Sequence, residues 1–232
     1  MKVKLLRYTA DAELLCGTAA LTTIKKGKPS QILEKMDRET AKDKIKIVTG
    51  YGHSSVIEHA AFTFSIEDVS RAMTHQLVRH RIASYTQQSQ RYVTYDTVEK
   101  YVTPPNIASN KEAKRIYDAT LERISETYQE LLRSGIPKED ARFILPNAAK
   151  TNIIVTMNAR ELRHFFNLRC CTRAQWEIRE VAIEMFRQAK NAAPFLFENC
   201  GPTCAELGFC PEGKMKPPEC NIIEIKDRFR AL

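Results

Sequence analysis

Residues 152–169 read NIIVTMNARELRHFFNLR and join a strand signal to a helix signal without a linker. The β-rich run 152–157 predicts a strand, and Asn158 is a residue type that caps helices, so we expect a helix to follow it. Residues 61–66, AFTFSI, alternate as a strand does, and Asp68 could cap a helix that runs through VSRAMTHQLVRH. Such strand-to-helix junctions bring backbone N–H groups and polar side chains to a sheet edge, where α+β proteins tend to bind ligands.

Helical patterns dominate the rest of the chain. Apolar residues follow Asn110 at helical spacing until Gly135, and another helix is expected after Thr172, including AQWEIREVAIEMFRQAKNA. We therefore predict an α+β fold in a single domain, with an antiparallel or mixed central sheet flanked by helices. Residues 1–195 would form this domain, and residues 196–232 would form a C-terminal tail rich in Cys, Gly and Pro.

The composition limits the partners and the compartment. The chain has 232 residues, a formal net charge of +8 and a pI near 9.1, which favours anionic partners such as phosphorylated metabolites, nucleic acid or an acidic membrane surface. No segment approaches about 18 uncharged apolar residues, and no signal-peptide pattern opens the sequence. We expect a cytoplasmic protein, in which the seven cysteines would be buried thiols, metal ligands or nucleophiles rather than disulfides.

Several common catalytic motifs are missing. The sequence contains no G-x-x-x-x-G-K-[ST] phosphate loop and no G-x-S-x-G elbow. Four of its five histidines lie in one short stretch, but H-E-x-x-H is not among the patterns, so a zinc hydrolase is disfavoured. Cys170 and Cys171 could be nucleophiles beside Arg169, although packing at a helix junction explains two small residues better.

The stretch 79–91, RHRIASYTQQSQR, concentrates positive charge. Its arginines would repel one another unless an anion or a carboxylate lies among them, so the stretch is either solvated surface or a ligand site. Arginine suits phosphate and planar imide edges because its rigid fork donates two parallel hydrogen bonds and stays charged.

Three motifs together resemble those of the flavin-dependent thymidylate synthases. The pattern R-H-R, seven residues, then S-x-R spans residues 79–91, GHSSVIEH spans residues 52–59, and NARELRHFFNLR at residues 158–169 precedes AQWEIRE. The resemblance implies methylation of dUMP to dTMP with methylenetetrahydrofolate as carbon donor, NADPH as reductant and FAD as hydride carrier. It also implies a homotetramer with sites at subunit interfaces and no cysteine nucleophile. The expected partners are dUMP, folate and NADPH, without nucleic acid or membrane.

The resemblance also implies individual roles. Arg169 would be catalytic, stabilising the uracil imide anion so that C5 becomes a better nucleophile. The residues implied for FAD are His53, Ser55, Arg79, His80, Arg81, Gln87, Asn158, Arg160 and His164. Those implied for dUMP are Gln76, Arg79, Gln87, Gln88, Ser89, Gln90, Arg91, Arg142 and Arg169. Three positions depart from frequent family residues, with Gln87 in place of Glu, Arg173 in place of His and Ser55 in place of Thr.

The tail contains a possible metal site. Its cysteines lie in CGPTCAELGFCPEGKMKPPEC, residues 200–220, where Gly and Pro could turn the chain around an ion. Four thiolates suit zinc, and an iron–sulfur cluster is a second option. The spacing lacks paired C-x-x-C motifs, so ordinary reduced cysteines are the alternative. The predicted ligands are Cys200, Cys204, Cys210 and Cys220.

Two other functions are compatible with the sequence. A nucleic-acid-binding module could use the basic charge together with Tyr85, Tyr92, Tyr95 and Tyr101, whose rings could stack on bases. The second alternative is a flavoprotein of the same family that oxidises NADPH without methylating dUMP. The presence of Gln87 where the family often has Glu is compatible with this alternative. The enzyme hypothesis predicts yellow protein, whereas the nucleic-acid hypothesis predicts colourless protein with salt-dependent binding.

Overall fold

The computed structural model describes residues 1–95 and 97–232. In this part of the chain the strands are β1 (Lys2–Tyr8), β2 (Ala61–Ser70), β3 (Ala83–Gln87) and β4 (Lys150–Asn158), in the sheet order β1-β2-β4-β3. Strands β2 and β4 are antiparallel, because Thr63 contacts Thr156 through their hydroxyls at 2.9 Å, whereas the N–H of Asp68 donates to the side chain of Asn152, also at 2.9 Å. The predicted α+β class with an antiparallel sheet is confirmed.

The helices account for most of the remaining regular structure. Short 3₁₀ turns at Ser54–His59, Val98–Lys100, Arg142–Ile144 and Gly213–Met215 accompany them. The α-helices of the described residues are α1 (Ala12–Thr22), α2 (Pro29–Glu34), α3 (Arg38–Gly50), α4 (Arg71–Leu77), α5 (Pro105–Ala108), α6 (Lys111–Arg133), α7 (Lys138–Ala141), α8 (Ala159–Arg169), α9 (Trp176–Ala192), α10 (Thr203–Leu207) and α11 (Ile222–Ala231).

Two predicted helix starts are confirmed by their cap hydrogen bonds. The side chain of Asn158 accepts from the N–H of Glu161 at 2.8 Å at the start of α8. Asn110 accepts from the N–H of Ala113 at 3.0 Å at the start of α6, and Gly135 follows that helix with a left-handed φ of 80°. Both starts obey a local rule, since the cap oxygen satisfies N–H groups of the first turn that have no partner within the helix.

The start and end of α4 differ from the prediction. Asp68 lies inside β2 with a φ of 56°, and the cap of α4 is Ser70, whose hydroxyl accepts from the N–H of Met73 at 3.0 Å. The strand continues past Asp68 because Asn152 accepts its N–H, which draws that residue into the sheet. Helix α4 ends at Leu77, so the arginine stretch follows the helix instead of continuing it.

The third predicted helix also begins later. Residues after Thr172 form a turn, with the N–H of Ala174 donating to the carbonyl of Cys171 at 2.9 Å. Helix α9 then starts at Trp176, where the side chain of Gln175 accepts from two N–H groups of the first turn at 3.0 and 3.1 Å. Glutamine is an uncommon cap, so its role was not evident from the sequence.

The chain forms two compact units, and all four of the described strands, β1 to β4, have residues in both. The first unit comprises Met1–Lys2, Ile66–Arg79 and Thr86–Ile154. Its core packs one face of α6 against aromatic rings, with Tyr128 fully buried and Tyr95 and Tyr101 at 2% and 4% exposure. Helix α6 is stabilised in this way because one apolar face is removed from water along its length.

The second unit comprises Val3–Ser65, His80–Tyr85 and Val155–Leu232. Phenylalanine rings dominate its core, with Phe62 against Phe197 at 5.3 Å and Phe166 against Phe186 at 5.4 Å between ring centroids. The tail belongs to this unit, since the ring of Phe229 packs on Phe186 at 5.3 Å. The predicted boundary at residue 195 stays a prediction.

None of the described helices has the length and apolar character needed to cross a membrane.

Candidate active site

A buried histidine lies at the centre of the second unit's polar cluster. His80 is 4% exposed, its Nε2 accepts a hydrogen bond from Nε of Arg169 at 3.1 Å, and its Nδ1 lies 3.3 Å from a carboxylate oxygen of Glu161. The imidazole also packs edge-on against Phe165, with 4.9 Å between ring centroids, and lies 5.7 Å from the ring of His164. The structure therefore brings together three predicted site residues, His80, His164 and Arg169.

Burial controls the charges in this cluster. It lowers the pKa of His80 to about 4, with smaller electrostatic contributions in the same direction from Arg169 and His164. Burial raises the pKa of the Glu161 carboxyl, although His164 opposes that shift. Because the His80 imidazole is neutral near pH 7, its Nε2 lone pair can accept from the guanidinium.

Glu161 was not among the predicted site residues. It lies three positions after the cap residue Asn158, and glutamate is common at this position in the first turn of helices. From the sequence, stabilisation of the helix start was therefore a sufficient reason for a glutamate here. Its side chain is instead buried to 7% exposure beside His80. The signal that could have found it is helical spacing, since residues 161, 165 and 169 share one face of α8.

The other residues implied for FAD are mostly exposed at the surface of the second unit. His53, Ser55 and Arg81 are exposed, and Arg160 pairs with Glu58 at 2.5 Å. The 3₁₀ turn Ser54–His59 packs against α8, where Asn158 uses its side-chain oxygen as the helix cap. Side chains that could bind an anionic ligand, a guanidinium and a hydroxyl among them, therefore lie near the start of α8.

In the first unit, Glu139 brings together predicted phosphate-binding residues. Nη2 of Arg91 lies 3.0 Å from its carboxylate, and Nε of Arg142 donates to its backbone carbonyl at 3.0 Å. The Ser89 hydroxyl accepts from the N–H of Arg91 at 3.2 Å, which adds the third predicted residue. Glu139 was missed because nothing in the sequence relates it to Ser89 and Arg91, which lie 50 and 48 positions earlier.

The glutamines of the same stretch have different surroundings. The Gln87 side chain donates to hydroxyls of Thr74 and Thr151 at 3.1 and 3.3 Å. Gln88 extends the sheet through its N–H, which donates to the carbonyl of Asn152 at 2.8 Å. Gln76 and Gln90 are half-buried, and Arg79 is exposed at the end of the first unit's segment.

The tyrosines do not form an exposed stacking surface. Tyr95 and Tyr101 are buried, and the hydroxyl of Tyr85 donates to the carbonyl of His80 at 2.7 Å. Of the four tyrosines near the arginines, Tyr92 alone is largely exposed, at 76%. This arrangement disfavours the nucleic-acid hypothesis, which needs several accessible rings.

The predicted metal site is not assembled. A cavity of about 310 Å³ is lined by Cys204, Cys210 and Cys220 together with Cys171, whereas Cys200 is buried and does not line it. Across residues 1–95 and 97–232, no group of three or more His, Cys, Asp or Glu side chains is arranged to hold a metal ion. Sequence spacing placed Cys200 in the set, but the fold buries its thiol beside Glu206 and Arg163, and this burial raises its pKa to about 12.

Comparison with known proteins agrees with these features. A family model described as thymidylate synthase complementing protein matches residues 4–195. The flavin-dependent thymidylate synthase of Geobacter sulfurreducens is 46% identical over 234 residues, covering 100% of this chain and 99% of that protein. That of Pyrococcus horikoshii is 47% identical over 239 residues, covering 100% of this chain and 98% of that protein.

A solved structure shares the fold. The flavin-dependent thymidylate synthase ThyX from Helicobacter pylori, crystallised with FAD and dUMP, superposes with a TM-score of 0.69 at 27% identity, covering 86% of this chain and 99% of that one. Fold and sequence thus define an enzyme, a methyltransferase that uses FAD. The chain belongs to the flavin-dependent thymidylate synthase family, so the resemblance of its three motifs is confirmed.

Proposed function

We propose that this protein converts dUMP to dTMP, with methylenetetrahydrofolate as carbon donor, NADPH as reductant and bound FAD as hydride carrier, without a cysteine nucleophile. The observation that carries the proposal is the hydrogen bond from Arg169 to the buried, neutral His80. It joins two of the three motifs, those at residues 79–91 and 158–169, and it holds a permanent cation within a polar cluster of the second unit.

Arg169 is the proposed catalytic residue. Its guanidinium would face the uracil N3–O edge and stabilise the imide anion, which raises electron density at C5 and makes that carbon the nucleophile. The contact with His80 is made by the Nε–H of the guanidinium. Partial burial lowers the pKa of Arg169 from its usual value, yet arginine stays protonated at physiological pH.

The dUMP phosphate would be bound by Ser89, Arg91 and Arg142. Support comes from their shared position around Glu139, a carboxylate that interacts with Arg91 as a phosphate would. Both partners of that pair are about half exposed, so the pair is weak and a dianionic phosphate would displace it. The residues proposed to complete the dUMP pocket are Gln76, Arg79, Gln87, Gln88 and Gln90.

The residues proposed to hold FAD have suitable chemistry for an anionic cofactor with a planar ring. Arg81 and Arg160 are exposed cations, and Ser55 and Asn158 supply a hydroxyl and an amide. His53 and His164 are exposed imidazoles that could contact a ring system. Arg79, His80 and Gln87 complete the proposed set.

Four of the seven thiols support the proposal that no cysteine acts as nucleophile. Burial raises the pKa of Cys16 and of Cys200 to about 12, and it raises those of Cys170 and Cys204 as well. A thiol in such surroundings stays protonated at neutral pH, and the thiolate is the reactive form. Activation of the pyrimidine by Arg169 removes the need for a covalent enzyme bond.

The active protein is proposed to be a homotetramer. Large apolar side chains next to site arginines in the sequence are strongly exposed, with Phe143 at 82%, Tyr92 at 76% and Ile82 at 65%. Exposed aromatic residues beside arginines are typical of protein interfaces. Light scattering coupled to size exclusion should give four times the 26.6 kDa chain mass, and a monomer would contradict this part of the proposal.

Release of tritium from dUMP labelled at C5 tests the reaction directly. The assay contains FAD, NADPH and methylenetetrahydrofolate, and the matched control omits the folate. Folate-dependent release with dTMP as product is the expected result. Consumption of NADPH by yellow protein without release would instead identify a flavoprotein oxidase, and it would overturn the methylation proposal.

A further inference from the structure

Glu161, His80 and Arg169 form a continuous row of polar side chains within the second unit. The carboxylate of Glu161 lies 3.3 Å from Nδ1 of His80, and Nε2 of the same ring accepts from Nε of Arg169 at 3.1 Å. Glu161 and His80 are 7% and 4% exposed. Water is therefore a poor substitute for the carboxylate of Glu161 or the imidazole of His80.

One hydrogen bond and one close carboxylate indicate where the ring proton of His80 lies. Arginine nitrogens can only donate, so Nε2 of His80 must carry a lone pair where it meets Nε of Arg169. In a neutral imidazole the proton then lies on Nδ1, and Nδ1 faces the Glu161 carboxylate, which can accept it. The opposite tautomer would set an N–H against an N–H at one end and a lone pair against a carboxylate at the other.

We propose that Glu161 is a positioning residue: it holds His80 in the Nδ1-protonated tautomer, so that Nε2 fixes the guanidinium of Arg169 for the uracil. This inference rests on the proposed role of Arg169. Glu161 touches neither substrate nor cofactor in this scheme and acts through two intervening contacts. Its closest parallel in principle is the acidic residue that orients a catalytic or metal-bound histidine.

Other contacts restrict the imidazole so that the tautomer matters. The Tyr85 hydroxyl holds the backbone carbonyl of His80 at 2.7 Å, and Phe165 packs edge-on against the ring at 4.9 Å. The backbone and the ring plane are restrained, so Nε2 stays directed at Arg169. The carboxylate then decides whether Nε2 carries a lone pair and can accept the hydrogen bond. A long arginine side chain has several rotatable bonds, and one directional acceptor near its Nε reduces the range of guanidinium orientations.

The first test measures the tautomer itself, independently of turnover. Protein labelled with ¹⁵N-histidine contains five imidazoles, and a spectrum of the His80→Asn variant identifies the signal of His80. Solid-state ¹⁵N spectra at pH 7.5 should show a protonated Nδ1 and an unprotonated Nε2 at this residue. An Nε2-protonated His80 in the unmodified protein would overturn the proposal whatever the activity.

The second test uses Glu161→Gln, which keeps the side-chain shape but presents a donor as well as an acceptor. The exposed Glu180 of α9 provides the matched control Glu180→Gln. We expect Glu161→Gln to show mixed His80 tautomers and a kcat lowered by about tenfold or more, while the KM for dUMP changes by less than about threefold. Glu180→Gln should leave all three quantities unchanged.

The outcomes separate this inference from the function on which it rests. Wild-type kcat and an unchanged tautomer in Glu161→Gln, with Arg169→Ala inactive, would overturn the role of Glu161 and leave the proposed reaction intact. Full turnover by Arg169→Ala would overturn the proposed catalytic role, and the functional part of this inference with it. If Glu161→Gln fails to fold, the spectrum of the unmodified protein still decides the tautomer.

Discussion

The Nε–H of Arg169 donates to Nε2 of His80 across 3.1 Å, although the two residues are 89 positions apart in the sequence. Each belongs to one of the arginine-containing motifs that the family shares. A hydrogen bond from a charged donor is stronger than one between neutral groups, and burial of the acceptor strengthens it further. This contact brings one residue of each motif into the polar cluster of the second unit.

Replacing Arg169 by lysine should impair catalysis more than binding. Arg169→Lys keeps the charge but removes the planar fork and the Nε contact with His80. We expect kcat at saturating dUMP to fall by about 10²-fold or more, as when one preorganised donor to a developing anion is lost. Tritium release measures the effect, and Arg187→Lys on the exposed face of α9 is the control. Wild-type kcat in Arg169→Lys would contradict the assignment.

Stability should fall in mildly acidic solution because of His80. Its pKa is lowered to about 4 by burial, Arg169 and His164, whereas an unfolded histidine titrates near 6.5. Between these values the unfolded chain binds the extra proton, so the stabilising contribution is complete above about pH 6.5 and is lost as pH falls towards 4. The full loss from one such group is about 3 kcal/mol.

Thermal unfolding at pH 7.5 and pH 5 of the natural sequence and of His80→Asn checks this expectation. Glu161 also faces His80, and its raised pKa contributes with the opposite sign, so both proteins keep Glu161. The drop in Tm between the two pH values should be smaller in His80→Asn. An equal drop in both proteins would show that other groups cause the acid sensitivity.

Removing the carboxylate at residue 139 should tighten dUMP binding. In Glu139→Gln, Arg91 no longer has an ionic partner that competes with the substrate phosphate. We expect the KM for dUMP to fall several-fold, and stability to change by less than about 1 kcal/mol, because the pair is solvent-exposed. The control Glu126→Gln breaks another exposed pair, that with Arg123 on α6. A raised KM in Glu139→Gln would indicate that the carboxylate orders the pocket instead.

Close packing of α1 on α3 makes Gly17 intolerant of a side chain. A Cβ built at Gly17 would lie 2.7 Å from both Cα and Cβ of Ala41, closer than carbon atoms can approach. Gly17→Ala should therefore destabilise the protein by about 1–3 kcal/mol, since the two helices must move apart. Denaturant unfolding measures this change.

Gly50 at the end of α3 supplies the control, because no atom lies within 4 Å of a Cβ at that position. Gly50→Ala should leave stability unchanged or raise it slightly, by reducing the freedom of the unfolded chain. Equal effects of the two substitutions would argue against close packing as the cause.

Much of the local structure was predictable from the sequence. The caps Asn110 and Asn158 act within one helical turn, and the spacing of apolar residues in α6 reports one buried face. The three family motifs likewise identified the family, because they combine fixed residue types at fixed spacing in a fixed order. These features depend on neighbours along the chain, so the sequence by itself determined them.

Tertiary packing decided the remainder. It extended β2 through Asp68, because Asn152 of another strand accepts its N–H, and it separated Cys200 from the cysteines that line the tail cavity. It also placed Glu161 against Nδ1 of His80. Each of these outcomes depends on which elements pack together, and the two contacts join residues far apart in the sequence. Local propensity carries no information about that packing.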